Sequence, residues 1–411
     1  MMKKIFLFMA IAFAAISCEQ FDQVKGTGMV ENISMGVEIK LKKDDNVPAP
    51  ANYKVKLNNY AENIEVIKTV EAGDVITIDG IIPGIYTVAI SGESQANGFT
   101  YVFNGNLSNI DLLENNTINT LEMEAAKSGN ILFKEIYYCG SKIGGKTNYF
   151  RDQYYELYNN SSKVQYLDGL CIGNIYPTTT SQVIYVWDRP NYEDYVYLQT
   201  IWQVPGTPGV DKKYPLNPGE SVIIAQMADN HQREALNPDS PVNLRCAEFE
   251  TYLRTTANTT DNENSINMYM AYWYTKSSTQ AQWMVTINGG AFVIFYPESK
   301  IDPNTYVVDP KYTSNKAKDI PISWIVDAVE LMLNESKITQ KRMPAVLDAG
   351  ATWVGGTYLA KSVSRKIKEV TEDGRVIYQD TNNSLEDFQV NDTPILRRDG
   401  AGIPSWNTWA N

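Results

Sequence analysis

Ile131–Ile172 decides the reading of this chain. It runs Ile131-Leu132-Phe133-Lys134-Glu135-Ile136-Tyr137-Tyr138, then a Gly/Lys loop, then Tyr154-Tyr155-Glu156-Leu157-Tyr158 stopped by Asn159-Asn160-Ser161-Ser162, then Tyr166-Leu167-Asp168-Gly169-Leu170-Cys171-Ile172. The three apolar runs are short, aromatic and partly β-branched, which suits half-buried strands better than helices. The Asn/Ser cluster favours a turn, because those side chains bond to nearby backbone. Leu170 and Ile172 share one face, and Gly169 marks a bend.

Further pieces in the same style follow in order along the chain. They are Leu216-Asn217-Pro218-Gly219-Glu220 leading into Ser221–Ile224, then Gly289-Gly290-Ala291-Phe292-Val293-Ile294-Phe295, then Ile325-Val326-Asp327-Ala328-Val329. Ser362–Arg365 and Asp380-Thr381-Asn382-Asn383-Ser384 with Asp387-Phe388 close the series. With Glu135-Ile136, Glu156-Leu157-Tyr158-Asn159 and Leu167–Ile172, this succession resembles the lamin-tail domain, an immunoglobulin-like β-sandwich. Long segments separate the matching pieces, so the resemblance implies an expanded version. It also implies that Glu135 and Glu156 are scaffold acids. The layout of the whole chain resembles an uncharacterised family of outer-membrane lipoproteins from anaerobic Gram-negative bacteria.

Upstream, Val37, Ile39 and Leu41 alternate with Glu38, Lys40 and Lys42, and Tyr53, Val55 and Leu57 repeat the pattern. That period of two predicts strands. Val75–Ile78, Ile85–Ile90, Phe99–Phe103 and Thr117–Met123 add more, punctuated by Gly and Pro. Asp44–Ala51 reads as a loop and Ala125–Gly129 as a junction. Gly80-Ile81-Ile82-Pro83-Gly84-Ile85-Tyr86-Thr87-Val88 resembles the turn and strand of prealbumin-like domains, such as carboxypeptidase regulatory-like modules; in exported bacterial proteins these are spacers. The fold class expected is therefore all-β, tandem β-sandwiches. Residues 26–126 form an N-terminal sandwich and residues 127–411 an expanded lamin-tail-like domain with inserted segments.

The first residues address the chain. Lys3 and Lys4 precede the apolar run Ile5–Ile16, too short to span a bilayer, which takes about 20 residues. This is the pattern of a signal peptide over residues 1–17. Ala15-Ile16-Ser17-Cys18 resembles a bacterial lipobox, which implies that Cys18 carries lipid and becomes the first mature residue. An ordinary secretory leader with an incidental cysteine is the alternative. Residues 18–25 are polar and read as a tether. The localisation expected is the outer membrane, lipid-anchored, with surface or periplasmic face undetermined.

The chain of 411 residues carries a net charge of −12, or −14 without Lys3 and Lys4. Such a chain repels phosphate backbones, so nucleic acid is not an expected partner. Besides Cys18 the cysteines are Cys139, Cys171 and Cys246, an odd number without the close pairs a zinc site needs. Cys139 and Cys171 flank matching strands, so they either approach one another or serve as small buried side chains.

The 26 tyrosines and 8 tryptophans serve either sheet packing or a stacking surface for sugars and aromatic ligands. They concentrate in two inserts. Asn174–Tyr214 carries Trp187, Tyr192, Tyr195 and Trp202, and Tyr252–Trp283 carries Tyr272 and Trp273. These six are the candidate binding residues, since function collects on loops held by a rigid scaffold. The alternative is that the inserts are extra strands covering sheet edges.

Catalytic signatures are missing. The single histidine, His231, sits in Asp229-Asn230-His231-Gln232-Arg233 and reads as an exposed loop residue. It has no neighbouring nucleophile and orienting acid. No G-x-S-x-G, H-E-x-x-H or phosphate-cradling glycine loop occurs. Asp261, Glu263 and Ser265 lack the glycine and final glutamate of a calcium loop. The function expected is a non-catalytic envelope binding protein, without cofactor or metal. It would present a sandwich to a glycan, another ligand or an outer-membrane partner such as a TonB-dependent transporter. A polysaccharide hydrolase and a purely structural adhesin or spacer are the alternatives. Ser323–Lys337 reads as a strand in its first half, with a helical turn after Glu330.

Overall fold

The structure is a computed structural model that describes residues 31–410, except 44, 60, 97–98, 179–186, 188, 277 and 284. The leader, Cys18 and the tether lie outside the described residues.

Seven strands build the first domain: β1 (Ile33–Lys42), β2 (Asn52–Asn59), β3 (Ile64–Glu71), β4 (Val75–Ile81), β5 (Gly84–Ala96), β6 (Phe99–Leu112) and β7 (Thr117–Lys127). They pair in the order β3-β2-β5-β6-β7-β1-β4. The inward residues of the alternating runs, among them Val37, Tyr53, Val55, Leu57, Ile76, Tyr86, Val88 and Phe103, share one core. The sheet curls until its two edges meet, where Lys68 Nζ of β3 donates to the Asp79 carbonyl of β4.

All neighbours are antiparallel except β1 and β7, which run parallel from Met35↔Thr117 to Lys42↔Glu124. The chain therefore enters at one end of the domain and leaves at the other. β3 is an addition to the expected strands. β7 also continues past Met123 to Lys127, pairing Ala125 with Phe103 and Lys127 with Tyr101. Ala125–Gly129 is thus mostly strand, and the link to the next domain is shorter than expected.

The second domain opens with β8 (Ile131–Tyr137). Two large sheets face each other. The first has the order Ile266–Asn267, Phe249–Glu250, Ser221–Ala225, Tyr154–Asn159, β8, Ser362–Arg365, Phe388–Asn391. The second runs Val307–Val308, Lys316–Pro321, Tyr195–Gln203, Cys171–Ile175, Ala291–Phe295, Ile325–Met332, Thr352–Trp353. Tyr269–Trp273 pairs beside the end of Tyr195–Gln203. The fold is all-β and of sandwich type.

Phe133, Tyr155, Leu157, Ile172, Trp202, Trp283, Phe292, Ile294 and Leu331 fill the space between the sheets. Tyr155 lies against Trp283 at 5.8 Å and 25°. Each such side chain contributes roughly 1.5–3 kcal/mol by leaving water. The second sheet is covered on its outer face as well. Cys171, Leu198, Ile201, Val293 and Phe295 pack there under Ile301, Met343 and Leu347. Ile325–Met332 is a strand, followed by a short 3-10 turn at Glu335–Gln340. Asp373-Gly374 forms the tip of the hairpin Ile367–Val370/Val376–Tyr378, with Gly374 at φ 85°.

The domains meet through polar contacts. Asp380 Oδ2 accepts from Ser128 Oγ at 2.9 Å and Gly129 N at 3.2 Å. Asn104 of β6 donates to the Thr381 carbonyl at 2.8 Å. Lys54 and Lys56 of β2 both reach Glu386, at 3.0 and 2.7 Å. A Cβ at Gly129 would stand 2.2 Å from the Val326 carbonyl oxygen, so the linker packs where a side chain does not fit.

Candidate functional site: an aromatic cleft on the second domain

Tyr195–Gln203 carries the site. Its first half pairs with Lys316–Pro321 and its second with Tyr269–Trp273. The face of the first half opposite Val196 and Leu198 is left to aromatic residues. Trp187 lies flat on Tyr197, centroids 4.3 Å apart at 16°, and meets Tyr176 edge to face at 5.9 Å. Tyr197 Oη donates to the Tyr192 carbonyl at 2.8 Å, tying the preceding turn to the strand. Tyr176 Oη bonds Asp309 and accepts from Asn315 Nδ2 at 2.9 Å. The Arg189 guanidinium covers one face of Tyr195 at 3.5 Å and pairs with Asp319.

These rings enclose a cavity of about 210 Å³ together with Glu193, Lys341, Arg342 and Pro344. Ligand sites usually span about 300–1,000 Å³, so this space suits one ring-sized group. Lys341 and Arg342 come from the segment that follows Ile325–Met332 and Glu335–Gln340. Arg342 bonds Glu330 through Nε and Nη2, at 2.9 and 2.6 Å, and reaches the Pro177 carbonyl at 3.1 Å. Burial pushes the Lys341 amine below its usual range, and Lys341 Nζ donates to the Met343 carbonyl. Tyr195 also lines a larger cavity of about 600 Å³ between the two domains. Lys42, Lys127, Asp194 and Ser323 contribute to that wall.

The six expected aromatics divide. Trp187, Tyr192 and Tyr195 line the cleft. Trp202 does not: its side chain is fully buried between the sheets. Tyr272 is buried beside Ile201 under the outer layer. Trp273 is half-buried apart from the cleft, its indole N–H on Thr275 Oγ1 at 3.1 Å. The second sheet has cover on both faces, so residues on either side of these strands are buried. Tyr176 and Tyr197 complete the cleft from the same insert, but nothing near Lys341 and Arg342 in sequence announces their place in it.

The chemistry open to the cleft is stacking and hydrogen bonding. Flat rings hold the apolar face of a sugar or another planar group. Among the described lining residues one carboxylate, Glu193, is present. Glu135 and Glu156 face each other on adjacent strands but lie elsewhere, fully buried. Glu135 accepts from Arg398 Nε at 2.8 Å and from Ser362 Oγ at 2.6 Å. Lys134 holds Glu156 at 3.0 Å, and the Arg397 N–H adds a bond at 3.1 Å. Each carboxylate is thus held by a cation and a further donor.

His231 is a correction. It is buried, not exposed. A carbonyl only accepts, so Nε2 carries the proton given to Met227 at 2.9 Å, and Nδ1 accepts from Tyr149 Oη at 2.7 Å. Burial lowers its pKa to about 4. The three described cysteines are free thiols. Among the described residues no cluster of His, Cys, Asp and Glu is disposed to hold a metal.

A crystal structure of a DUF4876 family protein from Bacteroides thetaiotaomicron is 36% identical over 91% of this chain and 99% of that one, with a TM-score of 0.65. This chain belongs to the DUF4876 family. The family's model, described as a protein of unknown function, matches residues 217–395. That stretch runs from the Pro218-Gly219 turn to the Ile395 N–H on Glu135. It therefore includes Lys341 and Arg342 and omits the cleft aromatics. The full-length major pilin SpaD of Corynebacterium diphtheriae is 11% identical over 72% of this chain and 93% of its own, with a TM-score of 0.15, and carries no argument. No curated protein matches the chain.

Proposed function

We propose that this DUF4876 protein is a non-catalytic binding protein of the cell envelope, anchored in the outer membrane by lipid on Cys18. Its prealbumin-like first domain acts as spacer, and its expanded lamin-tail-like second domain presents the aromatic cleft. The ligand class is a glycan or another ring with an apolar face, taken up beside an outer-membrane transporter of the TonB-dependent type. The observation that carries this reading is the cleft: Trp187, Tyr192 and Tyr195 around about 210 Å³, on the domain farther along the chain from the anchor.

The leader and lipobox pattern supports the anchor, and the pairing of Glu135 and Glu156 with cations speaks against their use in hydrolysis. The burial of Trp202 and Tyr272 favours the structural alternative, a spacer without a ligand. Titration calorimetry against a panel of glycans decides between them. The binding reading expects a saturable signal that Tyr195→Ala and Trp187→Ala weaken. A flat response to every glycan and aromatic probe, or binding that ignores both substitutions, overturns it.

A further inference from the structure

The first domain exposes large apolar side chains at one end. Ile82, Ile85, Leu113 and Ile118 are 42, 59, 61 and 70% exposed. Register brings them to the end where the chain comes in. Ile33 pairs with Ile81, next to Ile82. Gly84 pairs with Leu112, next to Leu113, and Ile85 lies opposite Asp111. Ile118 stands beside Gly36 on β1. The loops between them are fixed. Tyr86 Oη holds the Ile82 carbonyl at 2.8 Å, and the backbone N–H of Ser34 bonds Asn115 Oδ1 at 2.8 Å.

The opposite end, where β7 leaves through Ser128 and Gly129, is docked on the second domain. β7 has 11 residues, so at about 3.3 Å per residue roughly 36 Å separates the two ends. The apolar end therefore faces away from the docked second domain and toward whatever holds the N-terminal chain.

We propose that this end is a foot that rests in a neutral lipid surface. The inference uses the Cys18 reading for its setting: 12 residues lie between Cys18 and Glu31, a reach of at most about 45 Å when extended. Such a tether keeps the foot within reach of the bilayer that holds the lipid. Isoleucine and leucine at loop tips and strand ends enter the boundary between headgroup and acyl chain, and their buried area sets the affinity. Glu31, Asp79, Asp111 and Glu114 are exposed around the patch, so anionic headgroups repel it and zwitterionic ones do not.

The test is flotation of residues 19–411, which keep both described domains and lack the acylated cysteine, with phosphatidylcholine vesicles. The protein floats with the vesicles, and phosphatidylglycerol vesicles at low salt retain less of it. Ile85→Glu with Leu113→Glu lowers the floating fraction about tenfold, as expected for withdrawing two large side chains from lipid. Because both positions are exposed, the melting temperature stays within a few degrees. Absence of flotation, or flotation indifferent to the double substitution, overturns the foot. So does a dimer in sedimentation velocity that Leu113→Glu dissolves, which would give the patch to a second copy. Mass spectrometry of the native N-terminus separates the two readings. Acylated Cys18 without flotation removes the foot and leaves the anchor. Flotation with an unmodified Cys18 does the reverse.

Discussion

Arg365 reaches Asp327 across the core of the second domain, its Nη2 donating to both carboxylate oxygens at 2.7 and 2.9 Å. The pair joins the two facing sheets. The same guanidinium bonds the Phe133 and Gln379 carbonyls and the carboxylates of Asp380 and Asp387. One cation thus serves three buried acids. Burial outweighs its help at Asp327, whose pKa rises from 3.8 to about 7, with Asp380 adding repulsion.

The sign follows from proton binding. Between pH 3.8 and about 7 the folded state holds a proton on Asp327 that the unfolded chain releases. This contribution to stability is full at low pH and is lost as pH rises through 7. Arg365→Met leaves the acids without their cation and costs about 3–5 kcal/mol, since breaking a buried pair strands a charge. Denaturant unfolding at pH 5 and pH 8 checks it, with the larger loss expected at pH 8.

His231 acts in the opposite direction. Its folded pKa of about 4 lies below the ordinary 6.5. The unfolded chain takes the proton first, so its penalty grows as pH falls from 6.5 toward 4. His231→Gln forfeits about 1–3 kcal/mol at neutral pH if Tyr149 or Met227 loses its partner. It also flattens the pH dependence in that window. Melting curves taken at half-unit steps from pH 4 to 7 show both effects.

Trp202 and Tyr195 sit on one strand and answer differently to truncation. Trp202→Ala empties part of the core and costs about 3–5 kcal/mol. Tyr195→Ala, half-buried at the rim, costs about 1 kcal/mol or less while removing a stacking face. Paired measurements of unfolding midpoint and ligand affinity separate a packing residue from a binding one.

The thiols give a direct readout of packing. Cys139 and Cys171 are buried, Cys246 is half-buried, and burial raises the pKa of each. Alkylation of the native protein at pH 8 is expected to modify Cys246 slowly and the other two only after denaturant is added. Fast native labelling of Cys139 would mean that the bend after β8 opens.

Period two was a dependable guide where one face met solvent. Val37-Ile39-Leu41 and Tyr53-Val55-Leu57 form the expected strands. β3 escaped notice because Ile67, 50% exposed, follows the inward-facing Val66 and breaks the alternation. The same logic fails in the second sheet, which has cover on both sides. There a buried Trp202 and a cleft-lining Tyr195 look alike in sequence. His231 was misread because its neighbours are polar and the residues that enclose it, Tyr149 and Met227, come partly from another segment. Three cleft aromatics were legible from one insert. Lys341 and Arg342 were not, because only the folded chain brings them there.

The parallel pairing of β1 and β7 has a mechanical side. With the proposed anchor in place, tension on the second domain pulls β1 from its start at Ile33 and β7 from its end at Lys127. The two neighbours are then drawn in opposite senses along their length. Their shared ladder, Met35↔Thr117 to Lys42↔Glu124, bears the force in shear, so its backbone bonds must give way together and cannot unzip one by one. A domain wired in this manner resists extension far better than a hairpin pulled from its open end.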